Sequence, residues 1–406
     1  MTSKEKSVVY EKPNENRKVF ERSTADLWNL ACLFVSLICC LLVLVGRSLR
    51  IDILTSVGTR IMIVFQFFCV FLVELFINGT KKLKKEYMLF LTLFVVFILC
   101  GLIYLTKLLQ DYVLFFCTLM FPAYLLSFYR IKHVNQAKNA IYVFAFIVAL
   151  LFIYLYFSPY SHIFYAEYGI VNISALTLGF PNPNEAGIYA MVLAFIFLSS
   201  FFENKDFIIR ALSLMLVGIF TYMTFLTESR TCFILLLVTV VAYAFNLVKR
   251  INENLILVAF ILPIISFIIF LIFPDALRSL IVLGESADTG RSYIYEEVLN
   301  EVNIGTFFFG NFGTYLNENF HNSYVSLFMS FGLFGTIAYL VYVKHMYSAY
   351  YVKLRKSKKP NYVAFAGALC IIVHGVSESA FLTSGVAYAL LGSLLLVLSL
   401  PTEVKE

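Results

Sequence analysis

Three residues at the edges of apolar segments have side chains suited to chemistry at a membrane surface. Arg230 ends the short turn TESR, Arg291 stands near the start of a long polar stretch, and His321 closes that stretch before the next apolar run. Arginine suits a phosphate or diphosphate because its planar guanidinium offers paired donors and keeps its charge. The imidazole of His321 titrates near neutral pH, so it could take a proton from an attacking hydroxyl. The set predicts group transfer at a phosphate-bearing substrate.

Each of these residues also has a plainer interpretation. A lone arginine at a membrane boundary often only anchors a helix by snorkelling, and three boundary residues can coincide by chance. Two features favour a function for Arg230: its turn is very short, and Glu228 is close enough in the chain to orient it. Arg291 falls in the first turn of an expected short helix, where the helix dipole disfavours a cation. That position suggests either a function for Arg291 or an anionic partner.

A metal ion is the less favoured option for this chemistry. The sequence has no Asp-x-Asp pair, and its eight cysteines lie in or at the start of hydrophobic runs at spacings that fit neither zinc nor disulfides. The cysteines are therefore interpreted as small buried side chains. His374 and Glu378 are four residues apart and share one helix face. They form either a functional pair inside the membrane or a mutually satisfied pair that fixes helix packing.

The scaffold for these residues is predicted from composition. The 406 residues are 61% hydrophobic and only 14% charged, against about 25% charged in soluble domains. Long continuous apolar runs predict transmembrane helices, since a bilayer core needs about 20 apolar residues per helix. The expected fold is an all-α polytopic membrane protein with about twelve spans. These are 25–45, 54–77, 87–106, 111–129, 139–158, 186–202, 207–226, 231–248, 254–273, 322–343, 361–380 and 384–400.

The positive charges predict how these spans are oriented. Most of the 31 lysines and arginines fall in the tail 1–24 and in every second loop, which the positive-inside rule places in the cytoplasm. Helices 1–9 would occupy 25–273 and helices 10–12 would occupy 322–400, with a second cytoplasmic tail at 401–406. The loop 274–321, with its short helix, would then face outward and carry the catalytic residues. The net charge of +6 reflects this bias, so no nucleic-acid partner is expected.

Two further outward segments are candidates for substrate binding. The loop 159–185 ends in LGFPNPNEAGIYA, where the prolines prevent helix. Asn184 is predicted to cap the next helix, with Glu185 in its first turn. A cap alone and a functional site explain this segment equally well. The loop 46–60 carries three arginines against the charge trend. Contact with lipid headgroups is favoured there over catalysis, and a lipid-linked anionic substrate would be one version of such contact.

Three motifs, in this order, resemble the bacterial Wzy/WaaL-like superfamily of O-antigen and capsule polymerases and O-antigen ligases. They are FPNPNEAG, the turn TESR, and the R-x-x-x-Y, GNFG and HNSY run. The likeness covers roughly 176–343. It implies a GT-C-like glycosyltransferase in the bacterial cytoplasmic membrane, acting without metal or nucleotide. The donor would be an oligosaccharide on undecaprenyl diphosphate, attacked on the outer face by an acceptor sugar hydroxyl.

The resemblance also assigns roles to residues. The two essential arginines of the family map onto Arg230 and Arg291, which would hold the departing diphosphate, and its essential histidine maps onto His321. Asn322 and Tyr295 are expected to help bind substrate; the family often has Trp where Tyr295 stands. Asn184 and Glu185 are further substrate-binding candidates. A flippase and a chain-length regulator are candidate partners.

Three functions remain open from the sequence. A polymerase transfers the glycan to another lipid-linked repeat unit, whereas a ligase transfers it to lipid A-core, and the polymerase is favoured. A transporter or flippase of lipid-linked glycan is the alternative of another class. It would show paired broken helices and charges at the membrane midplane, for which His374, Glu378 and Pro263 are the hints.

Overall fold

The computed structural model describes residues 15–65, 131–166, 169–245, 302–311, 322–375 and 386–403, with positions 247, 256, 261 and 300. This part of the chain is mostly helical. Its helices are α1 (Glu15–Leu49), α2 (Asp52–Phe65), α3 (Ile131–Tyr156), α4 (Pro183–Glu203), α5 (Phe207–Leu226), α6 (Arg230–Ala244), α7 (Ile304–Phe309), α8 (Ser323–Arg355), α9 (Tyr362–His374) and α10 (Val386–Leu398).

Four of these helices have the length and apolar composition needed to cross a membrane. They are α3 from Val134, α4, α5 and α8. Large apolar side chains remain exposed along α3 and α5, among them Leu150, Tyr154, Leu214 and Phe225. Such faces suit a lipid environment, where exposed apolar surface carries no hydration cost. The structure thus agrees with the expected helical, membrane-associated protein.

The predicted spans agree with the helices to different degrees. The span 207–226 coincides with α5, and 186–202 and 231–248 differ from α4 and α6 by a few residues. The first span is part of a much longer helix, α1, and α8 runs on to Arg355. Hydropathy marks only the apolar part of a helix, so polar extensions are missed. The spans 87–106, 111–129 and nearly all of 254–273 lie outside the described residues, as do the far ends of 54–77 and 361–380.

The predicted loop 159–185 contains a β-hairpin that the sequence did not indicate. Strands β1 (Ile163–Ala166) and β2 (Gly169–Asn172) pair antiparallel, with Ala166 opposite Gly169. After the hairpin, the Leu176 N–H donates to the Leu226 carbonyl at 2.8 Å. The loop is therefore attached to the end of α5.

Helix α4 lies at the centre of the described bundle. It is almost entirely buried, and it contacts α3, α5, α6, α9 and α10. Rings from three helices meet around it: Phe197 of α4 stacks on Phe220 of α5 at 5.9 Å between centroids, and Phe152 of α3 lies 6.3 Å from Phe220. Residues at the two ends of α4 are thereby held by the surrounding helices.

The start of α4 differs from the prediction by two residues. Asn182, not Asn184, is the N-cap, and its side-chain oxygen accepts from the Asn184 N–H at 2.9 Å. Pro183 takes the first helical position, which suits proline because that N–H has no partner inside the helix. Glu185 lies in the first turn as expected.

Loss of this cap gives a first testable prediction. Asn182→Ala should lower the free energy of unfolding by about 1 kcal/mol, because one N–H of the first turn loses its acceptor. Asn182→Ser, which keeps an acceptor oxygen, should lie close to wild type in the same denaturation series in detergent. Equal losses in the two variants would show that the cap does not stabilise α4.

Two glycines form a close backbone crossing between α7 and α8. Asn303 and Thr306 form a capping box that starts α7, and Gly310 ends it with a φ of 75°. Gly332 interrupts α8 with a φ of 64°. A Cβ on either glycine would collide with backbone atoms of the other segment. The sequence indicated tight turns here but not α7; the short helix expected just before it lies almost wholly outside the described residues.

Candidate functional site

The ends of five helices meet at one end of the bundle, here called the Arg230 end. They are the end of α1 at Arg47, the start of α4 at Glu185, the start of α6 at Arg230, the end of α9 at His374 and the start of α8 after Asn322. Direct contacts link these ends into one region.

Arg47 and Glu185 form the most enclosed charged contact of this region. Arg47 Nη2 donates to Glu185 Oε2 at 2.9 Å, and Arg47 Nε lies 2.8 Å from Oε1. The side chains are only 19% and 6% exposed. A planar guanidinium matches a carboxylate with two parallel contacts. Glu185 is therefore paired with Arg47 at the start of α4 and is engaged by the protein itself.

The TESR turn packs against the first turns of α4. A Cβ added to Gly187 would lie 2.8 Å from Ser229 Cβ and 2.8 Å from Thr227 Oγ1, so only glycine fits without a shift. Thr227 and Ser229 are buried, whereas Arg230 is exposed. Arg230 thus extends from a tightly packed turn, with its side chain accessible to a ligand.

Glu228 does not orient Arg230 as the sequence suggested. It adopts a left-handed conformation, with a φ of 57°, and its Oε1 accepts a hydrogen bond from Ser174 Oγ at 2.9 Å. Among the described residues no ion pair joins Glu228 to Arg230. The unusual φ at Glu228 accompanies this contact with the segment after the hairpin.

The packing of this turn gives a second testable prediction. Gly187→Ala should lower the free energy of unfolding by about 1–3 kcal/mol, because the new methyl group displaces Ser229 and Thr227. Gly218→Ala is the matched control: no atom lies within 4 Å of its added Cβ, and alanine favours helix over glycine. Denaturation in detergent should separate the two variants. If Gly218→Ala costs as much as Gly187→Ala, the turn is not packed tightly against α4.

His374 and Cys232 join α9 to the first turn of α6. The Cys232 sulfur lies 3.1 Å from His374 Nε2, and the His374 side chain is 1% exposed. The Cys232 thiol therefore makes a polar contact with His374, in addition to being the small buried side chain that the sequence predicted. The sequence paired His374 with Glu378, which lies outside the described residues, so that pairing stays a prediction.

Asn322 lies at the same end because α8 begins beside the end of α9. The Ser323 N–H donates to the Gly375 carbonyl at 2.8 Å, and the Tyr324 hydroxyl donates to the Ile372 carbonyl at 2.8 Å. The side-chain oxygen of Asn322 caps α8, accepting from the N–H groups of Tyr324 and Val325. That oxygen is engaged by the helix start.

The structure brings together four of the predicted site residues and adds two. Arg230, Glu185, Asn184 and Asn322 all lie at the Arg230 end, whereas Arg291, Tyr295 and His321 lie outside the described residues. Arg47 and His374 also belong to this region. The sequence pointed to Arg47 only through the three arginines of the loop 46–60, which run against the charge trend. Among the described residues no three His, Cys, Asp or Glu side chains cluster as a metal site would require.

Comparison with known proteins identifies no relative of this chain. No protein-family model matches it, and no curated protein and no solved structure gives a significant match.

Proposed function

We propose that this protein is a membrane glycosyltransferase that polymerises repeat units carried on undecaprenyl diphosphate, on the outer face of the bacterial cytoplasmic membrane. One observation carries the proposal: exposed Arg230 lies at the same end of the bundle as Asn322, which directly follows His321 in the chain. A cation for the diphosphate and the residue that follows a candidate base in the chain thus belong to one end of the fold.

The proposed reaction needs no cofactor. An acceptor sugar hydroxyl attacks the anomeric carbon of the donor, and the bond from that carbon to the diphosphate oxygen breaks. The electron pair leaves with undecaprenyl diphosphate, and His321 receives the hydroxyl proton. Arg230 and Arg291 stabilise the leaving diphosphate, each by about 4 kcal/mol at about 4 Å and an effective dielectric constant of about 20, before desolvation. Only the part that grows in the transition state raises the rate.

The surrounding contacts support such a site. Because Arg47 neutralises Glu185 at short range, the carboxylate at the start of α4 would repel an approaching diphosphate little. Ser229, buried against Gly187, holds the backbone next to Arg230 in place. The exposed apolar faces of α3 and α5 suit the polyprenyl chain of the donor. Asn184, Asn322 and Tyr295 are proposed to contact its sugars.

A ligase and a transporter are the competing functions. The ligase would use the same residues with lipid A-core as acceptor. A transporter is favoured by one specific observation, the interruption of α8 at Gly332, since discontinuous helices line many transport sites. Transporters of this type use a pair of broken helices, and α8 with its interruption at Gly332 would be one of the two.

The test is a gel of lipid-linked and surface glycan from a deletion strain, complemented with wild type, Arg291→Ala or His321→Ala at matched expression. A polymerase predicts that single repeat units remain on lipid while long chains vanish. Long chains that accumulate on undecaprenyl diphosphate without reaching their final anchor would identify a ligase. Unchanged glycan in the deletion strain would overturn glycosyl transfer and favour the transporter.

A further inference from the structure

A cavity of about 440 Å³ opens at the other end of α4, here called the Glu203 end. Its lining comes from the first turns of α3 and α9, the last turn of α4 and the end of α6. Helix α4 runs from Glu185 at the Arg230 end to Glu203 here, so the two regions lie at opposite ends of the bundle. The volume lies within the range of about 300–1,000 Å³ typical of small-molecule pockets.

Three groups of the protein contact the Glu203 carboxylate, and one of them, Lys138, neutralises its charge. Its Oε1 lies 2.5 Å from Lys138 Nζ and accepts from Asn361 Nδ2 at 3.0 Å. Its Oε2 accepts from the Tyr142 hydroxyl at 2.8 Å. Asn361 also donates to Ser199 Oγ. Lys138 and Glu203 therefore cancel each other within the cavity wall, and neither leaves net charge for a ligand.

Two lysines remain as uncompensated charges around the cavity. Lys205 and Lys359 are exposed and line it from different segments, and no ion pair engages either of them among the described residues. Asn135 and Asn139, one helical turn apart on α3, add exposed amides on another side. With the Lys138–Glu203 pair neutral, the lining carries two positive charges. The charge selects an anion, and the amides suit hydroxyl groups.

Part of the remaining wall is aromatic. The rings of Phe202 and Tyr243 lie 4.4 Å apart between centroids, and both residues line the cavity. Such a pair gives a ligand an apolar surface beside the charged one. An inorganic anion would leave this surface unused, so the lining fits an anion attached to a larger organic body.

We propose that the Glu203 end holds a binding site for a phosphate ester with a hydroxylated body. Lys205 and Lys359 contact the phosphate, Asn135 and Asn139 hydrogen-bond the hydroxyls, and Phe202 and Tyr243 pack against the carbon skeleton. Both a phospholipid headgroup and a soluble sugar phosphate have this chemistry. The site is separate from the Arg230 end and does not depend on the glycosyl transfer proposed there.

The experiment compares two probes on the purified full chain in detergent. Native mass spectrometry measures binding of phosphatidylglycerol against uncharged diacylglycerol, and isothermal titration measures binding of glucose 6-phosphate against glucose. The double variant Lys205→Gln/Lys359→Gln should weaken binding of the phosphate probe at least about tenfold, as expected for loss of charge-assisted hydrogen bonds. The matched control, Lys356→Gln/Lys358→Gln, removes two neighbouring exposed charges that do not line the cavity.

The outcomes separate the two sources. Selective loss of phosphatidylglycerol binding assigns a lipid headgroup, and selective loss of glucose 6-phosphate binding assigns a soluble ester. The proposal is overturned if neither phosphate probe binds the wild type, or if the control pair weakens binding as much as the cavity pair. Should the cavity pair melt at a lower temperature than wild type, Asn139→Leu removes an amide from the lining without removing charge and must weaken binding likewise.

Discussion

Arg230→Gln is expected to slow chain formation at least about 100-fold. The guanidinium would contribute about 4 kcal/mol to holding the diphosphate at about 4 Å, and solvent around this exposed side chain screens part of that energy. The rate of Arg230→Lys should fall between those of wild type and Arg230→Gln, because an ammonium keeps the charge but loses the planar pair of donors. The measurement is the initial rate of chain elongation in isolated membranes supplied with lipid-linked repeat units.

Arg210→Gln is the matched control for this experiment. Arg210 lies near the start of α5, at the Glu203 end, with its guanidinium 4.8 Å from the Phe201 ring centroid. It carries the same charge on the same bundle but lies far from the proposed diphosphate. Its loss should leave the elongation rate within about twofold of wild type, because removing a single exposed charge away from a site has little effect. An Arg230→Gln variant with a rate within threefold of the control would exclude Arg230 from the proposed reaction.

Arg47→Met is expected to lower the free energy of unfolding by about 3–5 kcal/mol. Removing the guanidinium leaves the Glu185 carboxylate buried without its cation, and uncompensated buried charges cost about this much. The side chains are 19% and 6% exposed, so water cannot replace the lost contact fully. The measurement is reversible denaturation of the purified protein in mixed micelles.

A double substitution at Arg47 and Glu185 tests whether the unpaired Glu185 causes this loss of stability. Arg47→Met/Glu185→Gln should recover most of the loss, because a neutral amide of similar shape removes the buried charge. A double variant no more stable than Arg47→Met would show that Glu185 is not the reason for the loss. The two residues are 138 positions apart, so recovery would also verify that α1 and α4 meet at this end.

The sequence predicted the helical class and several helices well, for identifiable reasons. The ends of α5 are marked by Asp206, which caps it, and by the polar TESR turn after Leu226. The entry to α4 was located by its prolines, but the cap was assigned two residues late. The preference of proline for the first helical position would have selected Asn182, because Pro183 follows it directly.

The contacts at the Arg230 end could not be read from sequence in the same way. Periodicity finds partners four residues apart, and it paired His374 with Glu378. The structure places His374 beside Cys232, 142 positions away, which no local periodicity could have indicated. Arg47 and Glu185 likewise belong to helices separated by a long stretch of chain, so only tertiary packing brings them together. Hydropathy identifies helices, whereas such pairs depend on which helices become neighbours.

The crossing of Gly310 and Gly332 brings together the two ends of the chain segment 311–331. His321 and Asn322 belong to this segment. Beside the glycine crossing, the Asn311 N–H donates to the Met329 carbonyl at 2.6 Å and adds a second contact between the end of α7 and α8. The crossing therefore ties α7 directly to the middle of α8, so a substitution at either glycine would disturb both helices.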